Sequence, residues 1–136
     1  TVLQSLRGSS LLTELTTAAA VYRELEFVHP WSPHDVIRGI CDCVYRTSAG
    51  NWRLIDFKTG TVPAHATDSD LLAPYRVQLA LYSAAFTDWC GQPLEHAALV
   101  FLQPRLRVVP FALTPSEQTP LMERIHAAIS HLRAIN

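Results

Sequence analysis

"VIRGICDCVYRTSAGNWRLIDFKTG", Val36 to Gly60, is the stretch that decides how this chain folds. Two runs rich in β-branched and aromatic residues flank "TSAGN", whose Gly50 suits the positive φ of a turn, so an antiparallel hairpin is expected. Side chains of a strand alternate between its faces. In the second arm this places Trp52, Leu54, Asp56 and Lys58 on one face and Arg53, Ile55 and Phe57 on the other. In the first arm it groups Ile40, Asp42 and Val44, with Cys41 and Cys43 opposite. If the arms pair, Asp42 and Asp56 lie close together. Two such carboxylates repel unless a cation or a proton sits between them, and a hard divalent metal is the simplest resolution.

Mg²⁺ prefers oxygen ligands and is usually held by one or two carboxylates plus phosphate oxygens of a substrate. Lys58 on the same face supplies fixed positive charge where negative charge builds on a phosphoryl group, or orients or deprotonates a water. An isolated Asp-x-Lys is more often a solvated strand face. Here Leu54, Ile55 and Phe57 mark a covered strand, and covered charges need partners.

Working outward, "SSLLTELTTAAA" predicts a short helix over about residues 10–19, capped by Ser9 or Ser10. "VYRELEFV" alternates as a strand, with Val21, Arg23, Leu25 and Phe27 on one side and Tyr22, Glu24, Glu26 and Val28 on the other. "HPWSPHD" reads as a loop, and so does the stretch from Thr59 to about Pro74. "YRVQLALYSAAFTDWC" is the most helical segment, bounded by Pro74 and Gly91. "HAALVFLQ" and "LRVVPFAL" read as strands separated by Pro104, and a helix capped by Thr114 or Ser116 closes the chain. Helix, three strands, helix, two strands, helix is the order of an α/β domain with a mixed sheet of about five strands flanked by helices.

The chain has 136 residues, 49% hydrophobic and 17% charged, which suits one domain able to bury about two thirds of its unfolded surface. A formal net charge of −1 excludes the broad electrostatic footprint of a stand-alone nucleic-acid binder, so a polyanion would need a local cation or other domains. Cys41, Cys43 and Cys90 form no disulfide framework, and neither a signal peptide nor a run of membrane length is present, so a cytoplasmic setting without membrane contact is expected. Thr1 in place of Met suggests a piece of a longer polypeptide.

"RELEF", "GICD", "IDFKT" and "QLALY", in this order and at these separations, resemble the RecB/AddA-like nucleases of the PD-(D/E)XK superfamily. That pattern has an acid in the first strand, Gly-x-x-Asp in the second, Asp-x-Lys-Thr in the third and Gln-x-x-x-Tyr on the following helix. The resemblance implies a restriction-endonuclease-like fold in a single domain over residues 1–136. It makes Asp42 and Asp56 metal ligands, the main-chain carbonyl of Phe57 a further ligand and Lys58 the catalytic lysine. Glu24 matches the first-strand acid, and Gln78 and Tyr82 match the helix pair that positions the nucleic-acid backbone. Gln78 and Tyr82 share a helix face by spacing alone, although a core-edge pair satisfied by backbone groups reads equally well.

The implied activity is a Mg²⁺- or Mn²⁺-dependent deoxyribonuclease, of exonuclease type, acting on DNA in recombination and repair. The implied company is helicase domains, in the same parent chain or in a partner subunit. The resembling nucleases carry a histidine on a helix ahead of the first strand, and residues 1–20 contain none. The alternative is therefore a catalytically impaired nucleic-acid-binding or scaffolding domain of the same fold; a third reading is an unrelated α/β protein with chance motifs. His29, His34 and His65 read as solvated loop residues. Cys41 and Cys43 read as core rather than a zinc claw, and Trp31, Trp52 and Trp89 as packing residues rather than base-stacking ones.

Overall fold

The computed structural model describes residues 6–112 and 115–135. Five strands, β1 (Ala20–Ser32), β2 (Asp35–Arg46), β3 (Trp52–Thr61), β4 (His96–Gln103) and β5 (Arg107–Phe111), form one sheet in sequence order. Every neighbouring pair is antiparallel except β3 and β4, which are parallel. A parallel pair needs a crossover, and here it carries helices α2 (Asp68–Leu72) and α3 (Arg76–Cys90). Helix α1 (Ser10–Thr17) precedes the sheet and α4 (Pro115–Ile135) follows it. This is the mixed five-stranded sheet expected from the sequence. Among the described residues no helix is long and apolar enough to cross a membrane.

Each face of the sheet has its own core. On one, α3 presses Leu79, Tyr82 and Phe86 against Val44, Leu54, Leu99 and Val109. On the other, α1 lays Leu11 and Leu15 over Cys43, Tyr45, Ile55 and Val100. Polar contacts pin α1 there: Tyr45 Oη donates to Glu14 Oε2 at 2.7 Å, and Arg53 reaches Glu14 and Glu95, each at 2.7 Å. Burial alone would raise the Glu14 carboxyl, but the Tyr45 hydroxyl and the Arg53 guanidinium hold it below its ordinary value.

Three loop boundaries move. The first hairpin absorbs most of "HPWSPHD", leaving Pro33 and His34 as its turn, tied by Ser32 Oγ donating to Asp35 Oδ2. Pro30 is tolerated because β1 is an edge strand and loses no ladder bond on its open side. The stretch expected to be loop after Thr59 extends β3 to Thr61 and then forms α2. Thr67 Oγ1 accepts the Asp70 N–H at 3.1 Å and Asp70 Oδ2 accepts the Thr67 N–H at 2.9 Å, a capping box built with Asp in place of the usual Glu. Ser9, as expected, caps α1, and Gly91 (φ 73°) ends α3 with its N–H on the Thr87 carbonyl. Ser116 lies inside α4; Leu113 and Thr114 fall outside the described residues.

Strict alternation fails at one row. Cys41 packs in the α3-side core with Val44, whereas Cys43 packs on the α1 side with Tyr45. Opposite them, Tyr22, Leu25 and Phe27 all meet the α3 side, which no single alternation allows. Both strands therefore turn over at the same row, Glu24 facing Asp42, where the ladder skips from Arg23↔Cys43 to Leu25↔Cys41. Because the two turn over together, register survives without an inserted residue. The expected shared face of Cys41 and Cys43, and the expected grouping of Ile40 with Val44, are corrected by this twist.

Candidate active site

Asp42 sits at that row, across from Asp56 and one step beyond the last paired residues of β2 and β3, Cys43↔Ile55. Its Oδ2 accepts the Phe57 N–H at 2.8 Å, so a side chain replaces the main-chain acceptor where the two strands part. The N–H and C=O of one strand residue point to the same side. The Phe57 carbonyl thus faces the gap that Asp42 fills.

Asp56 is only 5% exposed, and its Oδ2 lies 2.7 Å from Lys58 Nζ. That oxygen has no other polar partner among the described residues. Lys58 Nζ also sits 3.9 Å above the Tyr75 ring centroid, a cation–π seat at the entry to α3. Burial pushes the Asp56 carboxyl above its ordinary value; the Lys58 ammonium opposes this, and the Asp42 carboxylate reinforces it. The buried carboxylate of Asp56 and the half-buried one of Asp42, beside the Phe57 carbonyl, form an oxygen donor set that suits a hard divalent ion.

The raised acid has a measurable consequence. A carboxyl whose folded pKa exceeds its unfolded one stabilises the fold most at low pH and loses that contribution as pH rises from about 3.8 through the folded value. Asp56→Asn abolishes the titration, so without divalent ions its stability relative to the parent should increase with pH across that window. Urea melts of both proteins at several pH values check this, and a constant difference would refute it.

Glu24 stands apart from the pair. It is exposed and lines, with Tyr22, Arg23 and Asp42, an open hollow of about 980 Å³. Among the described residues no three His, Cys, Asp or Glu side chains converge in metal-holding geometry. Glu24 is also the one non-glycine described residue with positive φ, 52°. Such a conformation costs about 1 kcal/mol or more for a residue with a Cβ. Glu24→Gly should therefore raise the melting temperature while weakening any function that needs the carboxylate; a lower melting temperature would show that the side chain, not the backbone, dominates there.

Gln78 and Tyr82 meet as their spacing implies, Gln78 Nε2 donating to Tyr82 Oη at 2.8 Å. Tyr82 is buried, its ring edge-to-face with Phe27 at 5.0 Å. Burial raises its phenol, and the charges of Asp56 and Asp42 add to that, which places the hydroxyl within their field. Tyr82 thus joins the core by its ring and the site by its tip. Gly39 opens the space: a Cβ there would lie 2.5 Å from the Phe27 ring and 3.3 Å from that of Tyr82.

His29 is not a loop residue. It is buried in β1, with Nδ1 3.1 Å from Asp88 Oδ2 on α3, while His34 and His65 are exposed. Burial pushes the Cys41 thiol up to about 12 and Cys43 to about 11, so both stay protonated and inert near neutrality. Tyr75 is the site residue the sequence did not single out; an aromatic after Pro74 was its only trace. The side chain of Trp31 lies outside the described set.

This chain belongs to the PD-(D/E)XK nuclease superfamily, whose family model matches residues 3–135. It is 32% identical over 77 residues to an ATP-dependent helicase/nuclease subunit of Lysinibacillus sphaericus (strain C3-41), across 50% of this chain and 6% of that one. The corresponding helicase/nuclease subunit of Oceanobacillus iheyensis is 30% identical over 80 residues, 56% of this chain and 6% of its own. The chain thus corresponds to a small part of the curated relatives' length. The crystal structure of an exonuclease-named protein from Eubacterium rectale superimposes with a TM-score of 0.65 over 96% of this chain and 49% of that one at 10% identity, a likeness of fold alone.

Proposed function

We propose that this chain is the nuclease module of a larger helicase–nuclease or DNA repair protein, a Mg²⁺- or Mn²⁺-dependent deoxyribonuclease of exonuclease type working in the cytoplasm. The observation that carries the reading is the Asp42–Asp56 row, with Asp56 buried and Lys58 Nζ 2.7 Å from it. Asp42, Asp56 and the Phe57 carbonyl would hold the divalent ion, which when bound would supply positive charge at the scissile phosphate and acidify a water. Lys58 exchanges Asp56 for a phosphate oxygen and stabilises the charge that develops on it. The Tyr75 ring keeps the ammonium in place between the two partners.

Gln78 and Tyr82 present an amide and a hydroxyl for the substrate backbone. Glu24, on its strained backbone, lines the hollow that Asp42 also lines and would face a substrate entering it. The relatives are named as helicase/nuclease proteins, which supports the DNA substrate and the helicase company. A binding or scaffolding module without cleavage is the second reading, favoured by the exposed position of Glu24. The two part on a single assay: Mn²⁺-dependent release of nucleotides from single-stranded DNA, lost in Asp56→Asn, is expected of a nuclease. Equal traces from both proteins would favour the binding module.

A further inference from the structure

An aromatic ledge lies beyond the acid row. Trp89, at the end of α3, is 60% exposed and Tyr22, on the edge strand, 42%. Tyr22 stacks on Trp52 with centroids 6.1 Å apart and meets Trp89 edge-to-face at 6.3 Å; Phe86 backs Trp52 at 5.4 Å and Trp89 at 6.0 Å. Trp52 is anchored by its indole N–H, which donates to Gln92 Oε1 at 2.9 Å. The outer two rings are therefore braced from behind while their own surfaces face solvent. Rings this exposed do little for the core.

Position and charge say what they meet. Tyr22 pairs with Val44, two residues along each strand from Glu24 and Asp42, which is about 7 Å at the usual strand rise. Arg46 lies directly opposite Trp52 in the ladder and is exposed, its Nε donating to the Gly50 carbonyl at 3.3 Å. Asp88, beside Trp89 on α3, lies 3.1 Å from His29 Nδ1. Braced aromatic faces beside a cation, one short step from the acids, are the combination on which unpaired bases stack while their phosphates run past positive charge.

We infer that the Tyr22–Trp89 ledge, with Arg46, is a base-stacking platform for single-stranded nucleic acid, seating the strand whose next nucleotides reach the Asp42–Asp56 row. This rests on the nuclease reading for what happens at that row, but stacking itself needs no chemistry. Duplex DNA hides its base faces and gains nothing from the ledge, so the platform sets a preference for unpaired ends.

The test is binding of a labelled short oligothymidylate to the chain by fluorescence anisotropy, with a chelator present so that no cleavage occurs. Trp89→Ala and Tyr22→Ala should each weaken binding roughly tenfold, and Trp89→Phe should keep most of it, since any aromatic face stacks. An abasic oligomer of the same length should bind the parent chain as poorly as the oligothymidylate binds Trp89→Ala. Equal affinity for the abasic and base-bearing strands, no binding, or unchanged binding in Trp89→Ala overturns the inference; the last would assign the ledge to a protein partner. Cleavage with Mn²⁺ is scored separately. A chain that stacks bases but never cleaves keeps the platform and loses the nuclease reading, and one that cleaves without favouring bases does the reverse.

Discussion

Lys58→Met lowers cleavage by roughly a hundredfold or more, the scale of losing one charge-stabilising group at a reacting centre. Methionine keeps the length of the stem and its packing against Tyr75 and removes only the ammonium. The fold should survive because the charge it removes is not a core contact: Lys58 is partly buried, and its one ion-pair partner among the described residues is Asp56. Divalent-ion binding should persist or tighten, since the ammonium 2.7 Å from Asp56 Oδ2 competes with any cation for that oxygen. Cleavage rate and Mn²⁺ affinity measured together on the variant separate the two effects. Near-normal cleavage would reduce Lys58 to a counter-ion for Asp56.

Gly39→Ala is expected to be the most damaging single-methyl change near the site. The added Cβ would sit 2.5 and 2.6 Å from two atoms of the Phe27 ring, which leans edge-to-face on Tyr82. Phe27 cannot yield without moving Tyr82, and Tyr82 is held by the α3 core and by Gln78. Overpacking of this kind costs about 1–3 kcal/mol, a fall of roughly 5–10 °C in melting temperature for a domain of this size. Activity per folded molecule should fall as well, because the Tyr82 hydroxyl moves with its ring. A variant with an unchanged melting temperature would mean that Phe27 rotates away freely, and the Gly-x-x-Asp spacing would then need another cause.

These residues also show what the sequence could and could not convey. Asp42, Asp56 and Lys58 were legible because apolar neighbours surround them, and a charge in a covered strand announces a partner. The Gln78–Tyr82 contact followed from helical spacing, and the order of strands and helices along the chain from their periodicity. The turnover at Glu24 and Asp42 was hidden. It depends on two strands changing face in step, a property of the pair that neither alternation pattern carries. The twist is why Cys41 and Cys43 part, and why Asp42 can reach the Phe57 N–H. The α2 capping box was missed for a local reason, since Asp70 takes the place usually given to Glu or Gln. The long first hairpin was masked by Pro30 and Pro33, which read as breakers until β1 proves to be an edge strand. Trp89 read as a packing residue, and only its exposure in the fold separates it from Trp52.

The central claim is that Asp42 and Asp56 act as one oxygen site for a divalent ion. Calorimetric titration of the chain with Mn²⁺ tests it most directly, with Asp42→Ala and Asp56→Asn run beside the parent and each protein shown to be folded. The account predicts heat from a saturable site in the parent, lost in both variants, and a rise in the parent's melting temperature with Mn²⁺ that neither variant shares. Binding that persists unchanged in Asp42→Ala would contradict it.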